Sequence, residues 1–140
     1  MSPDDLAAAL AAARDRDPRG RRLRAMRWAA AGGAVWQFPA ALSRPTAALV
    51  CRTIDISAAD PGDGWRFRLA TAARQDLWRA LRDRPGLVPV VRAGPVADGR
   101  LALTLAAAMA APDPGVAPIL ACLAGSAAPA AWVRFAGSRR

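Results

Sequence analysis

Alanine supplies much of the apolar character of this chain, and that limits the kind of core it can build. Of the 140 residues 37 are alanine, so an apolar share of 54% overstates the bulk available for packing. An alanine removes little area from water, and the burden falls on five Trp, three Phe and the Leu, Ile and Val residues. The expectation is a thin, tryptophan-pinned core that gains from a partner surface. A chain of 140 residues fits one domain of common size.

The charged residues come from a small alphabet. All 20 basic residues are Arg and all 11 acidic ones are Asp, with no Lys, Glu, His, Asn or Tyr. That leaves no imidazole for base chemistry or metal ligation, no lysine amine for a Schiff base, and no tyrosine or glutamate acid. Ala, Gly, Pro and Arg have GC-rich codons, so the bias fits a GC-rich bacterial genome. Whatever its origin, guanidinium stays charged, forks onto carboxylate or phosphate and stacks on aromatic rings. A net charge of +9 draws in polyanions, acidic proteins or anionic membranes.

Cys51 and Cys122 belong to no ligand-like cluster and are expected as two buried thiols, a disulfide lacking any secretory context. The opening Ser2-Pro3-Asp4-Asp5 is acidic and unlike a signal peptide. Pro118, Gly125 and Pro129 interrupt the longest apolar run, Val116 to Val133, which argues against a spanning helix. The expectation is a soluble, cytoplasmic protein.

Local patterns give an α+β domain over residues 1–140, a mostly antiparallel sheet with two or three helices packed on one face. Residues 1–22 form an N-terminal helix plus a basic connector, the helix capped by Ser2, begun by Pro3, striped by Leu6 and Leu10 and ended by Asp17-Pro18. Leu23 to Phe38 reads as a hairpin about Gly32-Gly33 or as a continued Ala-rich helix; Trp28, Trp36 and Phe38 tilt it toward the hairpin. Leu49 to Ser57 reads as a strand, and the alternation Trp65-Arg66-Phe67-Arg68-Leu69 as its hairpin partner. A helix capped by Thr71 then carries Leu77, Trp78 and Leu81. Leu87 to Val96 and Arg100 to Leu105 form a second hairpin across Asp98-Gly99, with Pro89 and Pro95 placing its first strand at an edge or a bulge. A short helix around Ile119 to Leu123 and a last strand, Trp132 to Phe135, complete the chain.

No constellation points to catalysis. Cys51, Cys122 and the five serines have no His or Lys to activate them. Asp55 with Asp76 or Asp98 is the only conceivable acid–base pair, and Asp55 reads more simply as an ion-pair partner for a neighbouring arginine. The Asp60–Asp63 loop has too few carboxylates for calcium, and no glycine pattern matches a phosphate loop. No cofactor and no metal is expected.

The densest feature is basic. Residues 14–27 hold seven arginines and two aspartates, and so carry +5 of the net +9. Arg19, Arg21, Arg22, Arg24 and Arg27 are the candidate contacts with an acidic partner. Trp28 beside them offers a stacking surface if the ligand is nucleic acid. Arg52, Arg66 and Arg68 are expected as solvated arginines on an outer sheet face. The strand pair Thr53-Ile54-Asp55-Ile56-Ser57 and Trp65-Arg66-Phe67-Arg68-Leu69 resembles strand pairs in phage tail hub proteins, over about a fifth of the chain. That resemblance implies a structural role in a phage-like particle. The functional expectation is a non-catalytic basic interaction or assembly subunit that docks onto an acidic partner; the alternative is nucleic-acid binding through the Arg14–Arg27 cluster.

Overall fold

The computed structural model describes residues 1–16, 26–31, 33–39, 48–58 and 62–138. Its elements run α1 (Pro3–Arg16), β1 (Met26–Ala31), β2 (Ala34–Pro39), β3 (Ala48–Ser57), α2 (Asp63–Leu81), β4 (Leu87–Ala97), β5 (Arg100–Met109), α3 (Val116–Ala124) and α4 (Ala128–Ser138). The strands form one five-stranded sheet in the order β1-β2-β4-β5-β3, antiparallel throughout. The fold is α+β.

Two of the three expected hairpins form. β1 and β2 pair from Met26↔Pro39 to Ala31↔Ala34. The β4–β5 turn uses Asp98 at φ 55 and Gly99 at φ 71, the two positive values that a tight primed turn demands. β4 is central, not an edge. Its ladder to β2 covers only Val91 to Ala93, so Pro89 and Pro95 flank that ladder, where their missing donors break no rung. The β4–β5 register shifts between Ala93 and Val96, which makes Pro95 part of a bulge.

Two segments expected as strands are helical. Trp65 to Leu69 lies in the first turns of α2, and Trp132 to Phe135 lies in α4. The apparent alternation in the first ends too soon to compete with the longer period: Leu69, Ala73, Leu77 and Leu81 recur every four residues and are all buried. Thr71 is accordingly not a cap. It sits inside α2 and donates its hydroxyl back to the Phe67 carbonyl at 2.9 Å. β3 takes β5 as its partner instead, in unbroken register from Ala48↔Met109 to Ser57↔Arg100.

Helices cover both faces, not one. Strand alternation sends Leu101, Leu103 and Leu105 of β5 and Val91 and Ala93 of β4 to a face covered by α2 and α3, with α4 packed behind α2. Ala106 and Ala108 of β5, Val90 of β4 and Trp36 and Phe38 of β2 point the other way, where Leu6, Ala9 and Ala13 of α1 cover them. α1 forms as its sequence signals: the Asp5 N–H donates to Ser2 Oγ at 3.2 Å and the Ser2 N–H returns a bond to Asp5 Oδ2 at 2.9 Å.

The core is pinned by leucine more than by tryptophan. Seven buried leucines occupy the α2 face, each worth about 1.5–3 kcal/mol on burial. Trp36 and Trp132 are buried, but Trp78 and Phe135 remain about half exposed, at 49% and 50%. Gln37 is fully buried on the α2 face and ties sheet to helix. It donates to the Phe67 carbonyl and to Thr71 Oγ1, and accepts from Arg74 Nε at 3.1 Å. Its polar atoms are thereby satisfied without water.

Gly94 marks the tightest backbone approach. It has φ +121, and a Cβ there would stand 2.8 Å from the Gly33 carbonyl oxygen and 2.9 Å from Ala34 Cα. Both obstacles are backbone and cannot swing aside. Gly94→Ala is therefore expected to cost about 3 kcal/mol in urea-unfolding free energy.

A forked ion pair closes the far end. Arg84 donates from Nε to Asp113 Oδ2 at 2.9 Å and from Nη2 to Oδ1 at 2.8 Å, and the Gly115 N–H adds a bond to Oδ1. Arg84, and after it the Gly115 amide, holds the Asp113 carboxyl below its ordinary 3.8. A lowered folded pKa contributes stability above the unfolded value and loses it as pH falls through the folded one. The melting-temperature gap between wild type and Asp113→Asn should hold steady down to about pH 5 and close on further acidification.

Candidate docking face

α1 leaves part of its own sheet face open. It crosses the rows that contain Phe38, Val90, Ala106 and Ala108. The next row reads Trp36 on β2, Arg92 on β4, Thr104 on β5 and Thr53 on β3, each directly opposite the last. Side chains in such a row share one face and touch their neighbours. Here they do: the Arg92 guanidinium lies 5.5 Å from the Trp36 ring centroid, Arg92 Nη2 donates to Thr104 Oγ1 at 3.3 Å, and the Thr104 and Thr53 hydroxyls are 3.2 Å apart.

Burial grades across that row. Trp36 and Thr104 are buried, Arg92 is half-buried and Thr53, on the sheet edge, is exposed. Arg92 Nε is buried, and among the described residues it has no hydrogen-bond acceptor. No carboxylate among the described residues forms an ion pair with Arg92 either. Asp5 stands near enough for the Arg92 charge to be felt, yet the Ser2 amide and hydroxyl hold its carboxyl and are the main cause of its lowered pKa. Beyond the row, Ala34, Gly94 and Ala102 are small, so the sheet itself does not roof Arg92 on that side. Asp55, Ser57 and Arg100 lie further along the same face, all exposed.

The arrangement presents a partly exposed guanidinium, a group that can hold an anion. Cys51 flanks the row with its thiol against the Met1 carbonyl; partial burial pushes its pKa up, against the opposing pull of the terminal ammonium and Arg92. A thiol so placed is a poor nucleophile. Both cysteines are unpaired and exposed, against the expectation of burial. The described residues contain no group of three or more His, Cys, Asp or Glu able to hold a metal. Asp76 is engaged by Trp132 Nε1 at 2.7 Å and by Arg79, away from Asp55 on β3 and Asp98 in the β4–β5 turn. Asp55 has no ion pair among the described residues.

The sequence-derived contacts fall elsewhere. Arg19, Arg21, Arg22 and Arg24 lie outside the described residues, as does most of the connector. Arg27 and Trp28 occupy adjacent positions of β1, opposite Phe38 and Gln37, two residues on opposite faces of the sheet. Arg66 and Arg68 are not outward strand residues. They belong to α2, where Arg66 donates to the Gly33 carbonyl and pairs with Asp63, and Arg68 donates to the Ala136 carbonyl at 2.9 Å. Only Arg52 of that trio is an exposed strand arginine. The strand pair behind the likeness to phage tail hub proteins is thus not formed.

Sequence reading passed over Arg92, Thr104 and Thr53. A signal for the first does exist, since Arg92 is the lone charge in the apolar run Leu87 to Val96. Its neighbours come from two other strands and emerge only with the register. Among the described residues no single helix is long and apolar enough to cross a membrane, although α3 and α4 together form an apolar pair bent by 59°. No family model, no curated protein and no solved structure matches the chain.

Thr104 is the fixed point of the row, since it bonds both neighbours. Thr104→Val keeps its shape and removes the hydroxyl. Urea unfolding should show a loss of about 1 kcal/mol, with a smaller loss for exposed Thr53→Val.

Proposed function

We propose that the chain is a non-catalytic docking subunit that uses surplus guanidinium charge to hold an acidic protein partner. One observation carries this reading. Of the ten arginines whose side chains are described, only Arg66, Arg79 and Arg84 form ion pairs with a carboxylate among the described residues. The others differ in setting: Arg82 lies over the Trp78 ring at 5.6 Å, Arg74 donates to Gln37, and Arg52 and Arg100 are exposed.

Charge left unpaired in this way steers encounter with an oppositely charged surface and sets its specificity. The lack of any His, Lys, Glu or Tyr to act as base or to activate a nucleophile supports a binding role over an enzymatic one. The connector arginines Arg19, Arg21, Arg22, Arg24 and Arg27 add to the same positive field. That basic run, with Trp28 beside it, also motivates the second reading, in which the ligand is nucleic acid.

Salt separates the two. Fluorescence anisotropy with labelled polyglutamate and with a single-stranded oligonucleotide, at about 50 and about 200 mM salt, compares them directly. The docking reading expects the polypeptide to bind more tightly than the oligonucleotide. An oligonucleotide that binds more tightly, with log affinity falling by about 0.7 per phosphate contact against log salt, supports the second reading. That slope should flatten in Arg21→Ala/Arg22→Ala/Arg24→Ala. Absence of binding to either probe at low salt overturns both.

A further inference from the structure

We infer that the Arg92 row is a carboxylate seat, which takes an aspartate or glutamate side chain from an acidic protein segment laid over the open part of the α1 face. The inference rests on the docking reading above and gives it a contact residue.

Charge is the first argument. Arg92 is half-buried on the central strand β4, with Nε unpartnered and no ion pair among the described residues. A cation drawn partly out of water without a counter-charge is in a costly state, and an arriving anion relieves that cost. The apolar sheet and the Trp36 ring beneath it lower the local dielectric, which strengthens the attraction beyond that at a fully solvated arginine.

Positioning is the second. Thr104 accepts from Nη2, and Trp36 backs the guanidinium, so two sides of the fork are held before any ligand arrives. A fork that is already oriented loses less conformational freedom when it binds. The exposed Thr53 hydroxyl, joined to Thr104 at 3.2 Å, extends the polar row to the sheet edge. A segment lying there could reach it with a second polar group.

The surroundings choose the anion. Asp5 is close enough to sense the Arg92 charge, and it disfavours a phosphate dianion more than a carboxylate with a single charge. The seat offers one guanidinium and the exposed Thr53 hydroxyl, which suit one planar carboxylate. Ala102, small and partly exposed beside the row, does not block access from that side. Further along the same face exposed Arg100 is offset by exposed Asp55, so attraction for an acidic side chain centres on Arg92.

The test uses hexaglutamate as probe with full-length protein. Arg92→Gln should weaken binding about tenfold, and Arg92→Lys, which keeps the charge and loses the fork, by an intermediate factor. Arg134→Gln, exposed on α4, should change it less than about twofold. In wild type with labelled arginine side chains, the Arg92 Nε–H resonance should shift as peptide is added, and this readout decides the matter if Arg92→Gln unfolds. If wild type binds but Arg92→Gln behaves as Arg134→Gln and the resonance stays still, the seat is wrong and the docking reading stands. If wild type does not bind hexaglutamate, both fall. If oligothymidylate displaces the peptide and moves the same resonance, the seat belongs to a phosphate ligand and the inference is overturned.

Discussion

The burial of β5 on both faces is the constraint from which the architecture follows. From Leu103 to Met109 every residue of this strand is buried, leucines on one side and Thr104 with alanines on the other. A strand apolar on both faces must be covered twice, so the helices divide between the two sides of the sheet. β5 also holds the longest ladders, to β4 and to β3. Placing it beside the edge strand fixes where the remaining elements can go.

The two covering layers are unequal, and the inequality creates the candidate site. On the α2 face, leucines from sheet and helix fill a thick layer that supplies most of the hydrophobic stabilisation. On the α1 face, Ala9 and Ala13 meet Ala34, Ala106 and Ala108, with bulk contributed chiefly by Leu6, Trp36 and Phe38. A single fourteen-residue helix does not span five strands, and in the row of Trp36, Arg92, Thr104 and Thr53 only Arg92 and the edge residue Thr53 reach solvent.

The polar groups of the two faces are treated differently. Gln37 lies under α2, where its amide has a protein partner at both ends, and the burial that lowers the pKa of Arg74 on α2 is tolerated because Gln37 accepts from it. Arg92, on the opposite face, keeps donors to spare. A satisfied network rigidifies a core, whereas an unsatisfied cation beside solvent is a place for a ligand. The two arginines thus differ in setting: Arg74 lies on α2 and reaches a buried amide, whereas Arg92 lies on the central strand and is partly exposed.

Much of the local structure was legible in the residues. Ser2-Pro3-Asp4-Asp5 announces α1 through cap and dipole, and Asp98-Gly99 announces the β4–β5 turn through two positive φ angles, both effects confined to a few adjacent residues. Absent side-chain types narrow the chemistry in the same way, because no fold can supply an imidazole the chain lacks. Trp65 to Leu69 shows the limit: five alternating residues fit a strand, and the fourfold spacing that continues to Leu81 makes them helix. The division of helices between faces, the unbroken pairing of β3 with β5, and the meeting of Trp36, Arg92, Thr104 and Thr53 in one row were decided by tertiary structure alone. Strand register is a long-range balance of buried faces, and no window of sequence contains both sides of it.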